Sequence, residues 1–141
     1  MTERALTTAL ATGDLPAAVA LLDQDIVFHS PVLATIGNEI RGQAIVVKIL
    51  QTAFACVGTP RNVDEFQNPD GRYIVTFDGS IDDNLIQVAI LVTENAAQKV
   101  KSIRLFARPW PVVTLFRQYM ERHLRPDPIP EAVWNLPGTG A

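Results

Sequence analysis

The chain has 141 residues, of which 48% are hydrophobic and 19% charged, with a formal net charge of −3. This composition is typical of one globular domain and excludes an intrinsically disordered chain. The weak negative charge argues against nucleic acid as a partner, and no apolar run approaches the roughly 20 residues that span a bilayer.

The first part of the chain predicts two helices and then a strand. Residues 2–11 favour a helix, and Asp14 is a good N-cap for a second helix over residues 15–22. The sequence DIVFHS at residues 25–30 alternates in polarity, which predicts a strand. Pro31 lacks a backbone N–H donor and should end that strand.

A third helix and a sheet are predicted next. After a loop containing Gly37 and Asn38, Gly42 opens the clearest helix, with apolar residues on one stripe. Residues 61–108 read as antiparallel strands separated by turns, and the second of these strands breaks at Gly79. A final helix is predicted over residues 111–124.

This order predicts an α+β fold, in which helices pack against a curved, mostly antiparallel sheet. We expect one domain over residues 1–125 and a proline-rich tail without regular structure over residues 126–141. Trp134, in the tail, either packs onto the body of the chain or onto a partner subunit, or is loosely held. The start of the chain has no signal-peptide pattern and Cys56 is its only cysteine, so we expect a cytoplasmic protein.

Three stretches resemble the nuclear-transport-factor-2-like superfamily, which includes ketosteroid isomerases, limonene-epoxide hydrolases and SnoaL-like polyketide cyclases. They are ALATGDLPAAVALLDQDIVFHSPV at residues 9–32, IRGQAIVVKIL at residues 40–50, and KVKSIRLFARP at residues 99–109. The likeness covers roughly residues 5–110. It implies a conical α+β barrel with an internal hydrophobic pocket, often in a homodimer.

The catalytic set of the isomerases is absent from the matching positions. In those enzymes the base is the aspartate just before the proline that ends the first strand, and here that position is Ser30. A serine hydroxyl is a poor base without an activating partner. The donor tyrosine corresponds to Leu6, and the donor aspartate to Gln87, Val88 or Ile90, of which only Gln87 can donate a hydrogen bond.

The epoxide-hydrolase set of two aspartates and an arginine is also absent. Phe77, Gly79 and Leu105 occupy the matching positions. A slip of one residue would instead place Asp78 and Arg104 there, and would turn every side chain of those strands to the opposite face.

We identify His29 and Asp78 as the candidate catalytic residues. If Ser30 faces the pocket, His29 points to the opposite face of its strand, where a structural role competes with that of a general base. Asp78 is either catalytic or a solvated or arginine-paired carboxylate. The candidate ligand-binding residues are Phe28, Ser30, Phe54, Tyr73, Phe77, Gln87, Leu105 and Trp110.

Three functions stay open at this point. The first is a homodimeric cavity protein that binds a hydrophobic small molecule. The second is a SnoaL-like cyclase, isomerase or hydrolase that uses His29 or Asp78, and the third is a protein–protein interaction module with a filled cavity and an exposed apolar patch. No dense set of ligand residues stands near His29, so we predict no metal and no cofactor.

Overall fold

The structure is a computed structural model that describes residues 2–33, 39–125 and 127–134. The predicted loop at Gly37 and Asn38 lies outside these residues. The helices are α1 (Ala5–Ala11), α2 (Leu15–Ala20), α3 (Gln43–Val57) and α4 (Trp110–Leu124). The strands are β1 (Leu22–His29), β2 (Ile40–Arg41), β3 (Arg61–Gln67), β4 (Tyr73–Ile81), β5 (Asn84–Glu94) and β6 (Val100–Arg108).

All six strands form one curved sheet in the order β2-β1-β6-β5-β4-β3. Neighbouring strands are antiparallel, except that β1 lies parallel to β6. The helices pack against one face of this sheet, and their apolar side chains share a single core with that face. The predicted α+β class with a mostly antiparallel sheet is therefore confirmed.

Local signals set the helix ends. The Asp14 carboxylate accepts a hydrogen bond from the Ala17 N–H at 3.1 Å and caps α2, as predicted. Gly42 precedes α3 with a φ of 101°, a conformation that other residues rarely adopt. The two-residue strand β2 was not predicted, because so short a strand has no sequence period and exists only through its pairing with β1.

Strand β4 continues through Gly79, where the sequence predicted a break. A Cβ atom at this position would lie 3.1 Å from the Val57 Cβ and 3.2 Å from the Val57 carbonyl oxygen. The glycine thus allows the end of α3 to approach the sheet closely, and does not interrupt the strand.

The strands present alternate residues to the two faces of the sheet. Phe77 of β4 faces the helices and pairs with Val88 of β5, which in turn pairs with Ala107 of β6. Asp78 and Arg104 lie on the opposite face, which we call the outer face. The one-residue slip that would turn these two residues inward therefore does not occur.

The C-terminal segment folds back on α4. The Ile129 N–H donates to the Leu124 carbonyl at 3.0 Å, and a short 3₁₀ helix spans Glu131–Trp134. Trp134 is 0% exposed, and the Arg117 guanidinium donates to its carbonyl oxygen and lies 6.0 Å from its ring centroid. Part of the tail thus has regular structure, contrary to the prediction, and Trp134 is a hook onto the body of the same chain.

Within the described part of the chain, no helix has both the length and the apolar character that are needed to cross a membrane.

Candidate functional site

An apolar cavity of about 60 Å³ lies between the helices and the inner face of the sheet. Helices α1 and α2, residues 50–57 of α3, and Phe116 of α4 form one side of its wall. Inward-facing residues of β1, β4, β5 and β6 form the other side. Among the described residues, every one that lines the cavity is apolar, and no nitrogen or oxygen atom of theirs contributes to the cavity surface.

Four of the eight candidate ligand-binding residues line this cavity. They are Phe28, Phe54, Phe77 and Leu105, which come from β1, α3, β4 and β6. Leu6 of α1, which the sequence resemblance matches to the donor tyrosine of the isomerases, also lines the wall. Phe77 and Leu105, which the sequence resemblance matches to catalytic positions of the hydrolases, thus present apolar side chains to the cavity.

The other four candidates do not line the cavity. The Ser30 hydroxyl accepts a hydrogen bond from the Val32 N–H at 3.1 Å, because the chain turns at Pro31 directly after β1. Trp110 is 80% exposed at the start of α4. Gln87 faces outward, between Asp78 and Arg108 on the neighbouring strands.

Tyr73 faces inward but belongs to a separate polar cluster. Its hydroxyl donates to Glu94 at 2.7 Å, and the ring lies 5.3 Å from the Arg4 guanidinium. Arg4 also pairs with Glu94 at 3.3 Å. Burial, together with the hydrogen bond to Glu94, raises the pKa of Tyr73 far above its ordinary value, so the phenol stays protonated.

Glu65 extends this cluster beneath α1. It accepts hydrogen bonds from the Arg4 backbone N–H, the buried Thr7 hydroxyl and the Gln67 amide. Burial favours its neutral form, but these donors together outweigh burial and lower the pKa of Glu65 below its ordinary value. The cluster joins residues that are far apart in sequence, so no local pattern could have revealed it.

Asp78 lines an open groove of about 570 Å³ on the outer face. Its carboxylate accepts a hydrogen bond from the Asn62 amide at 2.8 Å. Gln87, Asp64 and Arg108 line the same groove. The groove is therefore lined by both polar and apolar residues, and the sheet itself separates it from the apolar cavity.

His29 is half-buried at the end of β1, and it pairs in register with Arg104 of β6. Arg104 is an outer-face residue, so the ring of His29 lies on the outer side of the sheet. Phe28, its neighbour, lines the cavity. The structure thus brings neither candidate catalytic residue to the cavity wall.

Other reactive groups do not form a second candidate centre in residues 2–33, 39–125 and 127–134. No three histidine, cysteine, aspartate or glutamate side chains among them are grouped closely enough to hold a metal ion. Burial, with a smaller contribution from Asp82, raises the pKa of the Cys56 thiol to about 11. The thiol is therefore protonated at neutral pH and is a poor nucleophile.

No protein-family model matches the sequence, and no curated protein sequence matches it. Solved structures do match. A steroid delta-isomerase from Pseudomonas aeruginosa is 20% identical, with a TM-score of 0.70 over 83% of this chain and 84% of that chain. An uncharacterized bacterial protein with a cystatin-like fold from Silicibacter pomeroyi is 18% identical, with a TM-score of 0.69 over 84% and 81%.

An NTF2-like protein of unknown function from Cytophaga hutchinsonii has a TM-score of 0.57 and 15% identity, over 77% of this chain and 88% of that chain. Similarity at this level of identity carries information on the fold and not on the activity. Together with the sheet order and the helices on one face, these likenesses show that the chain has the NTF2-like fold.

Proposed function

We propose that this protein binds a small hydrophobic molecule in the apolar cavity. The observation that carries the proposal is the chemistry of the cavity wall, where all side chains are apolar. Apolar surface removed from water on binding stabilises a complex by roughly 25 cal/mol per Å². Ionisable groups that would move protons are absent from the wall, so the arrangement supports binding better than catalysis.

The isomerase and hydrolase alternatives receive less support. His29 and Asp78 lie on the outer side of the sheet, where they cannot reach a molecule enclosed by Phe77 and Leu105. Gly79, at a matching hydrolase position, is closely covered by Val57 and leaves no space for a reacting group.

The proposal is tested by filling the cavity. Ala53 lines the cavity, whereas Ala55 is exposed on the same helix. The Ala53→Leu variant should lose a molecule that co-purifies with the wild type, and Ala55→Leu should retain it. Native mass spectrometry followed by denaturation measures both. A wild-type protein that carries no molecule, and that binds no short-chain alkane, alkene or oxygenated analogue, contradicts the proposal.

We also propose that a second copy of the chain covers the outer face. Four exposed apolar side chains stand on it, one from each of β3 to β6: Phe66, Ile74, Leu85 and Phe106. An apolar face of this kind on a soluble domain marks an interaction surface. This surface also suits the third function considered above, a protein–protein interaction module, if its occupant were another protein.

Charge complementarity favours a second copy as the occupant. Asp64 and Asp78 lie on the β3–β4 side of the outer face, where Arg61 also pairs in register with Asp78, and Arg104 and Arg108 lie on the β6 side. A two-fold axis that runs along β5 in the plane of the contact brings the acidic side of one copy against the basic side of the other. Asp78 and Arg108 flank Gln87 in one row, so each would meet its opposite charge across this axis.

Sedimentation velocity tests this contact. The wild type should sediment with twice the mass of the chain, and Phe106→Glu should sediment as a monomer because it places a carboxylate in the apolar contact. Gln51→Glu, on the exposed side of α3, adds the same charge elsewhere and should stay dimeric. A monomeric wild type at high protein concentration would contradict the proposed contact.

A further inference from the structure

Among the described residues, the cavity wall offers no hydrogen-bond partner to a ligand. Its side chains are apolar, and no backbone nitrogen or oxygen atom contributes to the cavity surface. A carbonyl or hydroxyl group that enters such a cavity loses its hydrogen bonds to water and gains none. The same property keeps water out, since a stable buried water needs two to four polar partners.

The size of the cavity sets a second limit. Its volume is about 60 Å³. An apolar cavity of about 150 Å³ accommodates benzene. A molecule or group that fits without moving the wall must therefore be smaller than benzene.

Phe116 closes the cavity from the side of α4. It is 5% exposed and is the residue through which α4 reaches the cavity wall. The next residue, Arg117, holds α4 to the C-terminal segment through the Trp134 carbonyl and pairs with Glu121 at 2.6 Å. Trp134 is itself fully buried, so the C-terminal segment packs on α4 next to Phe116. The Phe116 ring thus belongs to a closely packed part of the cavity wall.

We propose that the ligand of this cavity is a wholly apolar group smaller than benzene, such as a short alkyl or alkenyl group, and that Phe116 determines this size limit. The inference rests on the proposed binding function and adds to it the chemical class of the ligand and the residue that selects it.

Two small molecules of the same shape but different polarity test the chemical class of the ligand. 2-Methylpropene and acetone have the same shape, and they differ by a methylene group in place of a carbonyl oxygen. Methyl NMR resonances of the wall residues Val88, Ile90 and Leu105 report the binding of either probe. We expect 2-methylpropene to bind at least about tenfold more tightly than acetone, because the acetone oxygen would be buried without a partner.

Benzene tests the role of Phe116, because it has the size and shape of the phenyl ring that Phe116→Ala removes. Wild-type protein should not bind benzene, and Phe116→Ala should bind it. Phe66→Ala removes the same ring from the outer face, where Phe66 is 56% exposed, and should behave like the wild type. If Phe116→Ala does not fold, Phe116→Leu enlarges the cavity by a smaller amount, and it should bind benzene weakly where the wild type does not bind it.

The outcomes separate the inference from the function on which it rests. Equal affinity for acetone and 2-methylpropene would overturn the apolar ligand class and leave hydrophobic binding in place. Benzene binding by the wild type, unchanged in Phe116→Ala, would overturn the role of Phe116. Failure of every probe to shift the wall resonances would overturn the binding function together with the inference.

Discussion

Replacing Trp134 with alanine tests whether the C-terminal segment is part of the folded core. The side chain is 0% exposed and belongs to the same core cluster as the buried residues of α4, including Leu124. Truncating a buried Phe or Trp to Ala typically destabilises a protein by about 3–5 kcal/mol. The variant also loses the interaction between the ring and the Arg117 guanidinium, which contributes about 0.5–1 kcal/mol.

One contribution to the free energy of unfolding opposes this loss of stability. The Trp134 Nε1–H is buried and has no hydrogen-bond partner among the described residues. An unsatisfied buried donor costs about 1–3 kcal/mol, and alanine removes that cost. The Arg117 hydrogen bond goes to the backbone carbonyl, so alanine retains it. We therefore expect destabilisation near the lower end of the range, about 3 kcal/mol, and a fall in melting temperature of roughly 10 °C.

The only other tryptophan of the chain provides a matched control. Trp110 is 80% exposed, and Trp110→Ala should change the free energy of unfolding by no more than about 0.5 kcal/mol. Chemical denaturation followed by circular dichroism measures both variants. Iodide should quench the fluorescence of a Trp134→Phe protein, which retains Trp110, more than that of Trp110→Phe. Equal stability losses in the two alanine variants, or equal quenching, would refute the docking of the tail.

Three further predictions concern the sheet and the polar cluster. Gly79→Ala should destabilise the protein by about 1–3 kcal/mol in thermal melts, because its Cβ would press on the Val57 backbone; no loss would contradict the close approach. Tyr73→Phe removes a hydrogen bond to a carboxylate and should lower the free energy of unfolding, measured in urea, by about 1.5–3 kcal/mol. Tyr119 is half-buried on α4, and Tyr119→Phe should lower the free energy of unfolding by less than about 0.5 kcal/mol. Because the pKa of Glu65 is lowered on folding, its contribution to stability is present above the unfolded pKa of about 4.3 and lost as the pH falls below it. Glu65→Gln should accordingly show a smaller drop in melting temperature between about pH 7 and pH 3 than the wild type, and an unchanged drop would exclude this role.

Much of the fold could be predicted because it rests on local signals. The alternation of polarity in the strands and the Asp14 cap give elements that the structure confirms. The same alternation separates Phe77 from Asp78, since successive residues of a strand face opposite sides of a sheet. It does not distinguish one inward position from the next, so it could not separate Phe77 in the cavity from Tyr73 in the polar cluster.

The remaining features depend on contacts between distant segments. The docking of Trp134 on α4 and the joining of Arg4 to Glu94 require the tertiary structure to exist first. Trp110 is exposed, but the sequence around it contains no pattern that distinguishes an exposed tryptophan from one that lines a pocket. Gly79 reads as a strand breaker in a sequence, because the helix end that approaches it is not visible there.

The parallel pairing of β1 with β6 has a consequence for the order of assembly during synthesis. Of the six strands of this sheet, β1 is the first to leave the ribosome, and its neighbour β6 is the last. The hairpins of β3 to β6 join segments that are close in sequence, so they form at a low entropic cost. In contrast, β1 cannot pair with β6 until the strands between them have been synthesised. A nascent chain that ends before residue 100 leaves the edge of β1 without its main partner. Because an unpaired strand edge is a template for association with other chains, we expect truncated products to depend on chaperones.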